Sequence, residues 1–456
     1  MHLNALLALT AATTALAKPS PQGSSTSSGS VPQVSVKGNA FYAGDKRFYV
    51  RGVAYQPGGS SNIADPIADV ESCRRDVKKF EELGINTIRV YTVDSTANHD
   101  ECMKLLADAG IYLALDVNSP KYSLNRADPE PSYNDVYLQS VFAAIDAFAN
   151  YDNTLLFFSA NEVINDNDTT KAAPWVKAVT RDMRQYIGSR GYRAIPVGYS
   201  AADVDENRFE MAEYMNCGTD DERSDFFAFN DYSWCPPSTF DESGWKAKVE
   251  QYSKYNIPLF LSEFGCNKKE RTFEEVTALY SDKMTSVYSG GLVYEYSEEG
   301  SKYGLVQING DEVSNLDDFD ILRTALEGAS PPDGDAGAST GGEASKCPAK
   351  SSSWEVGDDK LPAIPEPAME YMEKGAGPGP GLSGDGSQNA GTGSSGTATP
   401  GSGKVTATAT AGGGAGASST AAAARSVQVP GWKGDMGMFM TCAVVLVSTG
   451  VGMSLL

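Results

Sequence analysis

Two stretches decide the fold: Leu155-Leu156-Phe157-Phe158-Ser159-Ala160-Asn161-Glu162 and Pro258-Leu259-Phe260-Leu261-Ser262-Glu263-Phe264-Gly265. Each is a short run, apolar on both faces, that ends in a glutamate. Strands apolar on both faces belong inside a parallel sheet covered by helices. Working outward, six more runs have this character: Phe48–Gln56, Thr87–Asp94, Tyr112–Asn118, Ala194–Ser200, Phe226–Trp234 and Gly290–Ser297. Amphipathic stretches lie between them, at Pro66–Leu83, Tyr133–Tyr151, Pro174–Ile187, Trp245–Tyr255, Phe273–Tyr288 and Phe319–Leu326. Asp65 as N-cap with Pro66 in the first turn predicts one helix start, and Ser132 with Asp135 reads as a capping box for another. Eight βα units between Val34 and Ala329 predict an α/β fold, a (β/α)₈ TIM barrel. The competing architecture, a doubly wound open sheet, carries a Gly-rich phosphate turn after its first strand. Here that turn reads Gln56-Pro57-Gly58-Gly59-Ser60-Ser61, without the G-x-G-x-x-G pattern.

The flanks of the predicted barrel at 34–330 are read from composition. Residues 1–17, an apolar run closing on Ala15-Leu16-Ala17, have the form of a secretory signal peptide. Residues 18–33 are a Ser/Pro/Gly-rich lead-in, and 331–375 form an extension that Cys347 could pin to the barrel. Residues 376–424 are almost entirely Gly, Ser, Ala, Thr and Pro, a composition that reads as a disordered linker. The last segment, 425–456, holds a polar spacer and the apolar run Met438 to Leu456 behind small residues. That is the layout of a GPI-anchor signal, with Ser418, Ser419 or Ala421 as attachment points. A tail-anchored helix is the alternative, and the amino-terminal signal argues against it. The protein is therefore expected at the outer face of the plasma membrane or in the cell wall. The net charge of −22 disfavours nucleic acid as a partner. Of seven cysteines, Cys442 lies in the tail expected to be removed, which leaves six in a secreted chain. Three disulfides are expected from them, among 15 possible pairings. Asn167-Asp168-Thr169 is an N-glycosylation sequon.

The chemistry is reached by elimination. His99 is the one histidine beyond the signal peptide, and no G-x-S-x-G elbow is present, which disfavours a Ser-His-Asp triad. Histidine-based zinc sites fail on count, and no metal or organic cofactor is implied. Carboxylates remain. Barrel enzymes build their sites at the carboxyl ends of the strands, and Glu162 and Glu263 end the fourth and seventh. A carboxylate there is costly to desolvate unless it is paired or has a task. The plainer reading is two ion-paired structural glutamates. Facing each other across the barrel mouth, the two would instead suit a retaining glycosidase, whose acid/base and nucleophile stand about 5–5.5 Å apart. Tyr55, Tyr91, Tyr232, Tyr294 and Tyr296 also sit at strand ends, where ring faces could take sugars. Asp116, ending the third strand, reads equally as a turn residue, a sugar ligand or a group that tunes a catalytic pKa.

With these residues the sequence resembles glycoside hydrolase family seventy-two, the fungal β-1,3-glucanosyltransferases. The resemblance runs from Val36 to about Gln388. Besides the two glutamate stretches it rests on Arg51-Gly52-Val53-Ala54-Tyr55-Gln56-Pro57-Gly58-Gly59, Asn86-Thr87-Ile88-Arg89-Val90-Tyr91 and Asn230-Asp231-Tyr232-Ser233-Trp234-Cys235. It implies a barrel and a retaining mechanism, with Glu162 as acid/base and Glu263 as nucleophile. It also implies Asn161 at the 2-hydroxyl of the bound sugar, and Gln56, Tyr91, Asp116, Tyr232 and Tyr294 along a glucan groove. Disulfides Cys73–Cys102, Cys217–Cys347 and Cys235–Cys266 are implied as well. The partners would be β-1,3-glucan donor and acceptor chains. One branch of the family adds a Cys-rich carbohydrate-binding module, whose cysteines this chain lacks. A plain endo-β-1,3-glucanase and a non-catalytic wall glucan-binding protein are the competing functions.

Overall fold

The computed structural model describes residues 31–59, 63–398 and 407–408. The expected signal peptide, the anchor signal and the distal part of the linker lie outside those residues. The chain opens with three short antiparallel strands, β1 (Val34–Lys37), β2 (Ala40–Ala43) and β3 (Lys46–Phe48). Eight parallel strands then close into a barrel: β4 (Val50–Ala54), β5 (Thr87–Val90), β6 (Tyr112–Asp116), β7 (Thr154–Asn161), β8 (Val197–Ala202), β9 (Phe226–Asn230), β10 (Leu259–Phe264) and β11 (Tyr288–Val293). Every strand expected from the sequence is present, and the barrel closes where β11 pairs with β4, Gly290 opposite Val50.

Two apolar layers hold the barrel together. The outer one packs the helices on the strands. The inner one joins Phe158, Phe226, Phe260 and Leu292 to Phe41 and Phe48 from the opening strands. Phe41 meets Phe226 and Phe260 with ring centroids 6.2 and 5.9 Å apart. The opening strands therefore plug the amino-terminal end of the barrel, and each buried phenylalanine there contributes roughly 1.5–3 kcal/mol. The sequence reading did not include this plug, because strands of three or four residues carry little periodicity of their own.

The helices depart from expectation in detail. Val70–Leu83 starts later than Asp65-Pro66 suggested, and Asp69 is its N-cap, accepting from the amides of Glu71 and Ser72. Asp65 instead holds a turn, accepting from the amide of Ile67 at 3.0 Å and that of Asp94 at 2.7 Å. The helix Asp135–Phe148 is capped by Asn134, which accepts from the Tyr137 amide, so Ser132 and Asp135 form no capping box. Helices Asp100–Asp108 and Arg208–Met215 were not anticipated, and the expected Phe273–Tyr288 helix is confined to Glu274–Leu279. A hairpin of β12 (Val306–Asn309) and β13 (Glu312–Asn315) precedes the last barrel helix, Asp317–Gly328.

Disulfides join Cys73 to Cys102, Cys217 to Cys347 and Cys235 to Cys266, the pairing the resemblance implied. Beyond Cys347, Trp354 is buried against Tyr214, and the chain stays on the barrel through Ala398. Composition placed the linker from 376 onward. Its first part instead lies along the helix Asp135–Phe148: Asn134 Nδ2 donates to the Ser387 carbonyl at 2.7 Å, and the Asp135 amide to that of Thr392 at 3.1 Å. Small residues allow this. A Cβ at Gly384 or Gly391 would collide with the Tyr122 hydroxyl or the Asp135 carboxylate. Main-chain hydrogen bonds replace the apolar burial that the composition lacks.

Candidate active site

At the carboxyl end of the barrel the strands deliver polar side chains into one network. Its centre is Arg89, which lies inward on β5 and is fully buried. Nε and Nη2 grip both oxygens of Asp116 on the next strand, at 2.8 and 3.1 Å. Nη2 also reaches Asn161 Oδ1 at 3.0 Å, and Nη1 reaches Glu263 Oε1 at 3.3 Å and the Ser262 carbonyl at 3.2 Å. The guanidinium is flanked by the rings of Tyr91 and Phe158, each 4.4 Å from its centre. A buried guanidinium is tolerable only with such a full complement of acceptors.

Glu263, one residue before the end of β10, is 7 % exposed. Besides Arg89, its Oε1 accepts from the Tyr91 hydroxyl at 2.8 Å and its Oε2 from the Tyr232 hydroxyl at 2.7 Å. Burial holds both phenols well above their usual pKa, so they remain donors. Burial also pushes the Glu263 carboxyl up to about 7; Arg89 pulls it down, the charge of Glu162 adds to the rise, and the two phenols oppose it.

Glu162 follows β7 with a left-handed φ of 48°, a conformation that costs a non-glycine residue roughly 1–3 kcal/mol. Its amide donates to the Ser200 carbonyl at 2.9 Å, which fixes the turn. Its half-buried carboxylate accepts from Asn230 Nδ2 at 2.9 Å. Asn230 on β9 therefore links the two glutamates, because its Oδ1 also accepts from Arg89, which reaches Glu263, at 3.4 Å and from the Ser262 hydroxyl at 2.8 Å. Asn161 is oriented in the same way. Arg89, Ser200 and Asn230 all donate to its Oδ1, which leaves Nδ2 as the end available to a ligand.

The other expected residues separate into two groups. Tyr91, Tyr232 and Tyr294 line the cleft, and Tyr232 and Tyr294 meet edge to face at 6.4 Å. Tyr55 and Tyr296 turn away and share the carboxylate of Asp76, at 2.7 and 2.8 Å, outside the strands; of the two tyrosines just past β11, only Tyr294 reaches the site. Gln56 is engaged by the main chain: Oε1 accepts from the amides of Tyr91 and Thr92, and Nε2 donates to the Ala64 carbonyl. It braces the strand end that carries Tyr91. Asp116 is only 4 % exposed, and burial pushes its carboxyl up while Arg89 pulls it back. It holds Arg89 rather than turning a reaction face outward. His99 is buried on Asp65 at 2.7 Å with its ring tilted against Phe148, apart from the two glutamates.

Arg89, Ser200, Asn230 and Ser262 were not singled out from sequence. For Arg89 the signal existed: a lone arginine in the otherwise apolar run Thr87–Val90 must find buried acceptors. For the others, nothing short of the closed barrel brings them together. Among the described residues no group of His, Cys, Asp and Glu could hold a metal ion.

Comparison with known proteins points the same way as this geometry. The glycoside hydrolase family 72 model, described as glucanosyltransferase, matches residues 23–330. The 1,3-beta-glucanosyltransferase gel1 of Aspergillus fumigatus is 66 % identical over 348 residues, which is 76 % of this chain and 77 % of the relative. The 1,3-beta-glucanosyltransferase GAS5 of Saccharomyces cerevisiae is 54 % identical over 362 residues, covering 78 % of this chain and 75 % of the relative. Among solved structures, Saccharomyces cerevisiae Gas2p in complex with laminaritriose and laminaritetraose superposes with a TM-score of 0.70 at 39 % identity, over 74 % of this chain and 78 % of that one.

Proposed function

The chain belongs to glycoside hydrolase family 72, the glucanosyltransferases, and on that premise we propose that it is a retaining 1,3-β-glucanosyltransferase. It cleaves an internal bond of one β-1,3-glucan and passes the new reducing end to the non-reducing end of another. The observation that carries this reading is the unequal setting of two strand-end glutamates in one network. Glu263 receives three donors, two phenols and a guanidinium, all of which favour its anion. Glu162 receives only Asn230 and lies closer to solvent.

The chemistry follows from that inequality. Glu263 attacks the anomeric carbon, and the new ester C–O bond forms as the glycosidic C–O bond breaks. Glu162 gives its proton to the departing oxygen. In the second half, Glu162 takes the proton from the 3-hydroxyl of an acceptor. That oxygen bonds to the anomeric carbon, and Glu263 leaves as carboxylate. Asn161 Nδ2 hydrogen-bonds the 2-hydroxyl of the bound sugar, a contact that strengthens in the transition state. The reaction needs the transferable proton on Glu162. Arg89 and the phenols hold the complementary negative charge on Glu263.

The termini extend the proposal. A cleaved leader at 1–17 and a GPI signal at 425–456 would hold the barrel at the outer face of the plasma membrane, on the 376–424 segment, beside its glucan. Asn167, half-buried with its Oδ1 accepting from Asn207 Nδ2 at 2.9 Å, would carry an N-glycan. No helix among the described residues is long and apolar enough to cross a membrane.

Incubation of the purified protein with a reduced β-1,3-gluco-oligosaccharide of defined length tests the reading. Products longer than the starting material are expected. Shorter products alone would make the protein an endo-glucanase, and an unchanged oligosaccharide would overturn the enzymatic reading.

A further inference from the structure

Three tyrosines form one wall of the cleft, and a single short segment holds all three. Tyr232, Tyr294 and Tyr303 meet edge to face in every pairing, with ring centroids 6.4, 5.7 and 5.4 Å apart. Tyr232 is the ring whose hydroxyl reaches Glu263. None of the three lies inside a strand; each sits on a loop that must be held from outside. The segment leaving the nucleophile strand, Cys266 to Arg271, does this. Cys266 is bonded to Cys235, three residues beyond Tyr232. Asn267 Nδ2 donates to the carbonyls of Ser301 and Lys302, both at 3.0 Å. Arg271 is 2 % exposed. Its Nη1 donates to the Tyr294 carbonyl at 2.9 Å, and its Nη2 to those of Tyr303 at 2.7 Å and Gly304 at 3.3 Å. Nε binds Asp318 at 2.7 Å.

A buried arginine that touches neither glutamate, and spends its donors on the main chain beside two cleft tyrosines, has a positioning geometry. A planar fork can hold the Tyr294 and Tyr303 carbonyls at once, whereas an ammonium offers only a point charge. We propose that Arg271 is a positioning residue for the transfer step: it fixes the aromatic wall over Glu263 so that an acceptor sugar, and not water, resolves the glycosyl-enzyme. The inference rests on the transferase reading above. In that step the acceptor hydroxyl loses its proton to Glu162, its oxygen bonds to the anomeric carbon, and the ester bond to Glu263 breaks. Water can undergo the same exchange, so the partition depends on what the wall admits. Flat ring faces held in register bind a sugar; a loosened wall leaves gaps that water fills.

The test uses the purified full chain as wild type, Arg271→Lys and Asn267→Ala, with a reduced β-1,3-gluco-oligosaccharide as donor and acceptor. Longer products and hydrolysed ends are counted separately. For Arg271→Lys the transfer-to-hydrolysis ratio is expected to fall about tenfold with the acceptor KM raised, while donor cleavage changes by about twofold at most. Asn267→Ala, which removes two bonds from the same clamp, is expected to shift the ratio in the same direction by about two- to threefold. A folded Arg271→Lys protein with the wild-type ratio would overturn the inference. So would transfer and cleavage falling in equal proportion, the mark of general loosening. If Arg271→Lys does not fold, Asn267→Ala decides, and an unshifted ratio there overturns the proposal. Wild-type protein that makes no longer products overturns the transferase reading and this inference with it; transfer in the wild type with unshifted variants overturns this inference alone.

Discussion

The ends of β7 and β10 carry the same residue type and put it to unequal use. Glu263 continues its strand, is nearly sealed from solvent and receives three donors. Glu162 lies one residue past its strand, in a left-handed turn, half-buried, with Asn230 as its one side-chain donor. The donors around Glu263 favour its anion against the burial that pushes its carboxyl up to about 7, whereas Glu162 keeps access to solvent. On the proposed roles, the division of labour lies in the surroundings of the two glutamates.

The most direct way to break this comparison is to exchange the groups. Glu263→Gln is expected to lower turnover ~10⁴-fold or more, because no covalent intermediate can form. Glu162→Gln is expected to lose ~10²–10⁴-fold, the usual reach of general acid–base catalysis. With a donor bearing a good leaving group, azide is expected to rescue Glu162→Ala and yield a β-glycosyl azide, and Glu263→Ala is expected to yield none. Equal behaviour of the two alanine variants would remove the distinction. Arg89→Lys keeps the charge but loses the fork that joins Asp116, Asn161 and Glu263, and kcat is expected to fall about 10²-fold in a folded protein.

Titration sharpens the same contrast. Glu263 attacks as its anion and its carboxyl titrates at about 7, so kcat/KM is expected to rise as pH rises toward about 7. Since the charge of Glu162 raises the Glu263 pKa, Glu162→Gln is expected to lower the Glu263 midpoint below about 7, read by carbon NMR of labelled carboxyls. The smallest effect concerns stability. The folded Glu263 carboxyl titrates at about 7, against 4.5 for the free group. The folded state therefore binds more protons in that window, and this group's contribution to stability falls as pH rises through it. Glu263→Gln is accordingly expected to raise Tm by about a few degrees above pH about 7, a gain that vanishes toward pH about 4.5. A variant that melts lower at every pH would mean that the hydrogen bonds lost to Arg89 and the tyrosines outweigh the relief of burying a charge.

Much of this was legible without coordinates, for identifiable reasons. The eight barrel strands were readable because a strand buried on both faces writes its burial into every residue, as Leu155 to Ala160 do. The glutamates were readable because a charge that ends such a run needs a physical reason. The plug of β1–β3 was not, since its strands are too short to show a period. Nor was the packing of 376–398, because glycine and serine carry no apolar signal and the segment is held by main-chain contacts to Asn134 and Asp135. Gln56 and Asp116 were placed in the right neighbourhood, but composition does not reveal whether an amide or carboxylate faces the cleft or a protein partner. Tyr294 and Tyr296 illustrate the limit. They are two residues apart, and only the fold separates the one in the cleft from the one bonded to Asp76.

The sequence by itself determined the barrel, the two strand-end glutamates and the family motifs around them, because periodicity and burial are local properties of a chain. Only the tertiary structure decided that Arg89 on the second barrel strand, Asn161 on the fourth, Asn230 on the sixth and Glu263 on the seventh share one network, and that Arg271 stands behind the tyrosine wall. Hydrogen bonds act over about 3 Å, and residues up to 174 positions apart come within that range only when the sheet closes on itself.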